Sequence, residues 1–249
     1  MSSMVQEEGQ RFEFGNNWHQ FIQKNFGPER VRISKKHLLD FIERDDLKGL
    51  TFLDIGCGSG LHSIAALEAG AVSVRGFDYD ANSVATSRYL QAQVGNPSNW
   101  TVEQGSVLDD TFVRNLGAYD LVYSWGVLHH TGDVWHAIRN AAACVRPGGM
   151  FYIALYSADV QVNPPPEFWL DLLADAGFTI TAHEQMEKEI AFGPWVARMR
   201  CTPEVVAELE QILTAGPAHL REFLKPRRDE QGGLHFTLQE VLLVAGKPA

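Results

Sequence analysis

The sequence predicts an α/β protein in which helices flank a seven-stranded, mostly parallel sheet on both faces. Three observations carry this. Through the middle of the chain, short apolar runs alternate with longer helix-compatible stretches, the pattern of successive strand–helix–strand units. Breaks fall at Gly70, Gly95-Asn96-Pro97 and Pro147-Gly148-Gly149, where helices stop. The 249 residues suffice for one well-filled domain of this kind and are short for two.

The expected strands are Thr51–Ile55, Ser73–Phe77, Trp100–Gln104, Tyr119–Tyr123, Met150–Leu155, Phe178–His183 and Glu240–Ala245. Each is a short apolar run rich in β-branched or aromatic residues. Helices fit between them at Ser59–Ala69, Ala81–Val94, Val134–Val145 and Pro166–Ala176. Residues 1–50 read as helices, with Trp18, Phe21, Ile22 and Phe26 on one stripe, and are expected to act as a lid. Residues 186–233 separate the last two strands and read as a helical cap: Thr202 or Pro203 opens one helix and Pro217 another. The sheet itself takes residues 51–185 and 234–249, so that one domain spans 1–249.

Composition narrows the function classes. A formal net charge of −10 disfavours nucleic acid as a partner, because phosphate binding needs a dense basic surface. No apolar run approaches the roughly 20 residues that span a bilayer. The start, MSSMVQEEGQRFEF, has neither the basic nor the apolar part of a signal peptide, so no membrane partner and a cytoplasmic location are expected. Cys57, Cys144 and Cys201 are too scattered for a disulfide framework or a zinc site. Oligomeric state is left open, a homodimer among the options.

The strongest local signal is Phe52-Leu-Asp-Ile-Gly-Cys-Gly-Ser-Gly60, an apolar strand entering a glycine-dense turn and then a helix. Glycines at 56, 58 and 60 let a ligand approach the backbone and permit dihedrals that other residues resist. The helix N-terminus behind them offers N–H groups to an anionic part of that ligand. A dinucleotide fingerprint, G-x-G-x-x-G, would need glycine where Leu61 stands, and no Gly-Lys-Ser/Thr follows to make a phosphate loop. A carboxylate at Asp78, where the second strand ends, can accept hydrogen bonds from both hydroxyls of a ribose. Asp80 is expected to cap the next helix.

Asp54-Ile-Gly-Cys-Gly-Ser-Gly60 resembles the first motif of class I S-adenosylmethionine-dependent methyltransferases, and the likeness runs through residues 50–183. It is greatest to those acting on small molecules in quinone and natural-product biosynthesis. The resemblance implies a Rossmann-like, three-layer α/β/α fold whose last strand, Glu240–Lys247, is antiparallel. It implies S-adenosylmethionine as cofactor, held by Asp54, Gly56, Cys57, Gly58 and Gly60, with Asp78 on the ribose and Tyr79 against the adenine. Ser106 and Val107 fall where the family contacts the adenine edge. Many relatives have aspartate at the position of Ser106, so either its hydroxyl substitutes or Asp109 reaches in. Ser124 would face the methionine part, and Trp125 an apolar wall near the sulfonium.

His129 and His130, in the loop after the fourth strand, are the catalytic candidates, with His130 preferred. An oxygen nucleophile must lose a proton before it attacks a methyl sulfonium, and histidine suits that task near neutral pH. His129, His130, Asp133 and His136 suggest a metal cluster, but adjacent histidines should point apart and His136 should fall on the next helix, so no metal is expected. Phe14 and Trp18, from the lid, and Trp195, from the cap, are the candidates for the acceptor pocket. The expected reaction is methyl transfer to a small-molecule acceptor. Its rivals are an S-adenosylmethionine-binding sensor without turnover and a nicotinamide-dependent oxidoreductase, the latter opposed by Leu61.

Overall fold

A computed structural model describes residues 22, 26–157, 166–198 and 201–249. Helix α1 (Pro28–Phe41) opens with proline in its first turn, where the missing N–H has no helical partner to lose. There follow β1 (Thr51–Ile55), α2 (Leu61–Glu68), β2 (Ser73–Asp78), α3 (Ala81–Gln93) and β3 (Trp100–Gln104). Next come α4 (Asp110–Leu116), β4 (Tyr119–Trp125), a 3₁₀ turn (Leu128–His130), α5 (Val134–Ala143) and β5 (Val145–Ser157). The chain ends with α6 (Pro166–Asp175), β6 (Thr179–Ala191), α7 (Phe192–Arg198), α8 (Pro203–Ala215), α9 (Ala218–Leu224), β7 (Arg227–Arg228) and β8 (Leu234–Gly246).

The sheet runs β3-β2-β1-β4-β5-β8-β6, with the short β7 pairing antiparallel to β8. β1 lies parallel to both β2 and β4, with Thr51 opposite Ser73 and Phe52 opposite Leu121. The chain thus steps outward from β1 to β3, then returns to lay β4 on the other side of β1. That reversal opens a crevice beyond the carboxyl ends of β1 and β4, the place where open α/β sheets bind ligands. Both central strands are buried almost throughout, as a strand covered by helices on both faces must be. Phe52, Leu121, Tyr123 and Tyr152 pack with Val31 and Leu38 of α1 and Ile64 and Ala65 of α2 in one apolar cluster. Ile22 and Phe26 of the predicted stripe also pack in it.

The seven predicted strands are all present, and their edges differ in instructive ways. β5 begins at Val145, ahead of the expected Met150, because Arg146-Pro-Gly-Gly is more than a turn: it continues the pairing through a register shift between Tyr119↔Val145 and Leu121↔Met150. Gly149 makes the shift possible, since a Cβ there would stand 3.0 Å from the Asp120 carbonyl and 3.1 Å from that of Tyr119. Asp120 locks the base of β4 to β1 by accepting from the Thr51 amide (2.8 Å) and hydroxyl (2.7 Å), and it also pairs with Arg146. Helix α4 is additional to the predicted set. Residues 186–233, expected to be helical, are so only in their middle: β6 runs on to Ala191 and β7 precedes β8. Thr202 does cap α8, with Pro203 in its first turn, and Pro217 precedes α9 as expected.

The described residues fall into two compact units. One lies within 1–155, 169–183 and 242–249; the other comprises residues within 156–168 and 184–241. The second unit has its own small core, in which Phe192, Val196, Leu213, Leu234 and Phe236 are buried. Among the described residues no helix is long and apolar enough to cross a membrane.

Candidate functional site

The turn from β1 into α2 is built from left-handed glycines. Gly56, Gly58 and Gly60 have φ of +72°, +53° and +81°, values at which a side chain is strained. Space is as restrictive as dihedral at Gly56, where a Cβ would come within 2.3 Å of a Val127 methyl. The amides of Gly56 and Cys57 both donate to the Phe77 carbonyl (2.9 and 3.0 Å), and that of Gly60 donates to Cys57 (2.8 Å). The amides of Gly56, Cys57 and Gly60 are therefore engaged in the fold. Cys57 is buried, its Sγ 3.4 Å from the Ser87 hydroxyl. Burial, then Asp54 and Asp78, push its thiol well up, which makes it unreactive.

Two carboxylates flank this turn. Asp54, at the end of β1, is buried and accepts from the Ser63 hydroxyl at 2.6 Å. Burial raises its pKa to about 7, against the opposing effect of that hydrogen bond. Asp78, at the end of β2, accepts from the Gly58 amide on Oδ2 and the Asp80 amide on Oδ1, each at 2.9 Å. Burial raises this carboxyl too, and the backbone amides of Asp80, Gly58 and Tyr79 oppose it. A carboxylate offers about four lone-pair sites, and with these three amides acting on it Asp78 retains acceptor capacity. Tyr79 beside it is 57% exposed, and Asp80 caps α3 through the Asn82 amide (2.8 Å).

The segment after β3 holds Ser106 and Asp109. Asp109 Oδ1 accepts from the Thr111 and Phe112 amides (2.9 and 3.0 Å), so its carboxylate caps α4. Ser106 remains beside the buried Val107, its Oγ accepting from the Leu108 amide at 3.2 Å. Gly105 permits close packing here, since a Cβ would meet the Phe112 ring at 2.2 Å.

At the end of β4, the buried Ser124 hydroxyl donates to the Ile55 carbonyl (3.2 Å) and ties β4 to β1. Trp125 is more than a wall. Its ring is stacked on His62 (centroids 5.9 Å apart, 12° between planes) and meets His37 of α1 edge-on at 5.2 Å, with Tyr152 6.0 Å away. Burial, then the neighbouring His37, push His62 down to about 4 and keep it neutral. Sequence reasoning missed both histidines; the available signal was the position of His62, two residues past Gly60.

The rings of His129 and His130 lie side by side, centroids 4.0 Å apart, and do not diverge as adjacent histidines were expected to. Both residues lie in the 3₁₀ turn. Burial, then His130, push His129 down to about 3, and desolvation also lowers His130, which reaches solvent. His136 does fall on the next helix, α5, where Asp133 caps its amide (3.0 Å) and Asp110 meets its ring at 2.6 Å. Among the described residues no three histidine, cysteine or acidic side chains are grouped to hold a metal ion. Phe14 and Trp18 lie outside the described residues. Trp195 packs edge-on against Phe236 (5.2 Å) within the core of the second unit.

A left-handed glycine turn and a mostly buried carboxylate thus meet at the carboxyl ends of β1 and β2, beside the strand reversal of an α/β sheet. Comparisons with known proteins narrow the class. Residues 53–151 match the family described as Methyltransferase domain. Over 131 residues the chain is 33% identical to the ubiquinone biosynthesis O-methyltransferase of Paramagnetospirillum magneticum, covering 51% of this chain and 50% of that protein. Over 103 residues it is 35% identical to the tRNA U34 carboxymethyltransferase of Methylococcus capsulatus, covering 41% of this chain and 31% of that one. The chain therefore spans about half the length, or less, of these curated relatives. A solved Bacillus halodurans protein shares the fold at a TM-score of 0.73 and 21% identity, covering 85% of this chain and 99% of that one. Over residues 53–151 this chain is thus similar to a methyltransferase domain, and it shares the fold of the solved Bacillus halodurans protein.

Proposed function

We propose that the chain transfers a methyl group to an oxygen of a small-molecule acceptor, with His130 as the base. The observation that carries this is the placement of Asp78 and His130 on strand-end loops of one parallel sheet, one fit to hold a ribose and the other open to solvent. S-adenosylmethionine, when bound, supplies an electrophilic methyl on a sulfonium. Asp78 would hold the ribose hydroxyls, and the Gly56–Gly60 turn would admit the methionine end against bare backbone. Tyr79, Ser106 and Val107 would meet the adenine, while Asp54 and Ser124 shape the crevice from behind. The histidines nearest this end of the sheet are held neutral by burial, which spares a cationic sulfonium a like charge. Neutral His130 can take the acceptor's proton; His129, at about 3, holds a proton too weakly to serve as well. The acidic surface supports a small acceptor over a nucleic acid.

Calorimetric titration with S-adenosylmethionine and S-adenosylhomocysteine tests the cofactor site. Micromolar binding, about −8 kcal/mol, should weaken at least about tenfold in Asp78→Ala. No binding of either compound by the folded protein would sink the reading. With an acceptor found by screening, His130→Gln should lower kcat by about 10²–10⁴ while leaving cofactor affinity intact. In the wild type kcat should rise with pH through the lowered pKa of His130 and then level off. Saturable cofactor binding without turnover across a broad acceptor panel would instead favour a sensor.

A further inference from the structure

Helix α5 contributes a side chain to the segment on which, in the reading above, the adenine rests. The Asn140 Nδ2 donates to the Val107 carbonyl at 2.8 Å and to Asp110 Oδ1 at 2.9 Å. The same Asp110 oxygen meets the His136 ring at 2.6 Å. The other anchors of residues 105–110 include the Gly105 amide on the Asp78 carbonyl (3.0 Å), at one end of the segment, and local bonds: Ser106 holds the Leu108 amide, and Asp109 holds those of Thr111 and Phe112. Asn140 alone among these bonds reaches the segment from 30 or more residues away.

We propose that Asn140 is a positioning residue for the cofactor: by gripping the Val107 carbonyl and the Asp110 carboxylate, it fixes the backbone of residues 106–109 at the height where the adenine edge is read. The inference rests on the cofactor reading of this site and extends it to a residue that touches no ligand. The need for such a grip follows from Ser106. A short hydroxyl has less reach than an aspartate, so base recognition here depends on where the backbone stands. Without the amide, the Val107 carbonyl loses its partner, and the stretch between the Gly105 anchor and the Asp109 cap loses its one long-range restraint from Asn140. A shift of a fraction of an ångström is enough to spoil a hydrogen bond to a base edge.

The test compares S-adenosylhomocysteine with S-inosylhomocysteine, its deaminated analogue, on wild type, Asn140→Ala and Asn140→Asp. The second substitution keeps the shape but removes the donor and sets a carboxylate against Asp110. Wild type should prefer the adenine compound. Asn140→Ala should bind it at least about tenfold more weakly while losing less affinity for the inosine analogue, so that base selectivity shrinks, and Asn140→Asp should shrink it as much or more. With an acceptor in hand, the KM for cofactor should rise while kcat holds. Equal affinity for the adenine compound in wild type and Asn140→Ala overturns the proposal, as does an equal loss for both ligands, which marks a general loosening. If Asn140→Ala fails to fold, the same criteria apply to Asn140→Asp. Binding of neither compound by wild type is a different result, because it removes the cofactor reading itself.

Discussion

At Gly56 two constraints coincide, a φ of +72° and a Val127 methyl 2.3 Å from where a Cβ would stand. Alanine in a left-handed conformation costs about 1–2 kcal/mol, and overpacking a rigid site adds about 1–3 kcal/mol. Gly56→Ala should therefore destabilise the protein by about 2–5 kcal/mol in urea unfolding. Adding Val127→Ala should return part of the loss attributable to the clash and none of that due to the dihedral. A Gly56→Ala protein as stable as wild type would show that the turn has room to relax. The two constraints differ in how they could be read. The spacing of glycines 56, 58 and 60 is visible in sequence because the freedom of glycine is a local property. Val127 was not visible as its neighbour, since 71 residues separate the two. His62 was missed for the same reason: its partner Trp125 comes from another strand, and an imidazole after a glycine turn carries no mark of what it stacks on.

Elements show the same division between local and distant causes. The helices that start at the strand ends open on aspartate caps, Asp80 for α3, Asp109 for α4 and Asp133 for α5. Asp109→Ala should cost about 1 kcal/mol and fray α4, seen as faster amide exchange at Thr111 and Phe112, the two amides it caps. Unchanged exchange there would mean that packing of Phe112 on Phe77 holds the helix start by itself. The caps Asp80 and Thr202, the prolines at the starts of α6, α8 and α9, and β1 and β3 were legible because each is decided by a few neighbouring residues, whereas Asp109 and Asp133 were not read as caps. The full lengths of β5, β6 and β8 were not legible. Each is prolonged by pairing with a partner far along the chain, so Arg146–Gly149 looked like a turn and Glu184–Ala191 like the start of a cap. Helix α4 escaped notice because seven residues show too little periodicity to distinguish them from a loop.

On the scale of the whole molecule, buried ionisable groups set how stability responds to pH, and their signs oppose one another. His62 and His129 are pushed down to about 4 and about 3, while in the unfolded chain they protonate below about 6.5. A depressed folded pKa gives stability that is present above the unfolded value and lost as pH falls. Asp54 is raised to about 7, while unfolded it ionises above about 3.9. A raised folded pKa gives stability that is present below the unfolded value and lost as pH rises. Between about pH 4.5 and 6 the unfolded chain thus binds about two more protons on the histidines and one fewer on Asp54, a net gain of about one. Asp78 is raised and His130 lowered, so these two offset each other in sign. Stability should then climb with pH across this window by about 1.4 kcal/mol per unit. Asn in place of Asp54 keeps an acceptor for Ser63 but cannot take up a proton. The slope in Asp54→Asn should therefore approach twice that of wild type, so the variant gains most at pH 6 and least at pH 4.5 relative to its parent. Urea unfolding of both proteins at several pH values across the window measures this directly. Parallel curves would mean that Asp54 is ionised in the folded protein throughout, with its charge balanced by Ser63 and the amides at the start of α2.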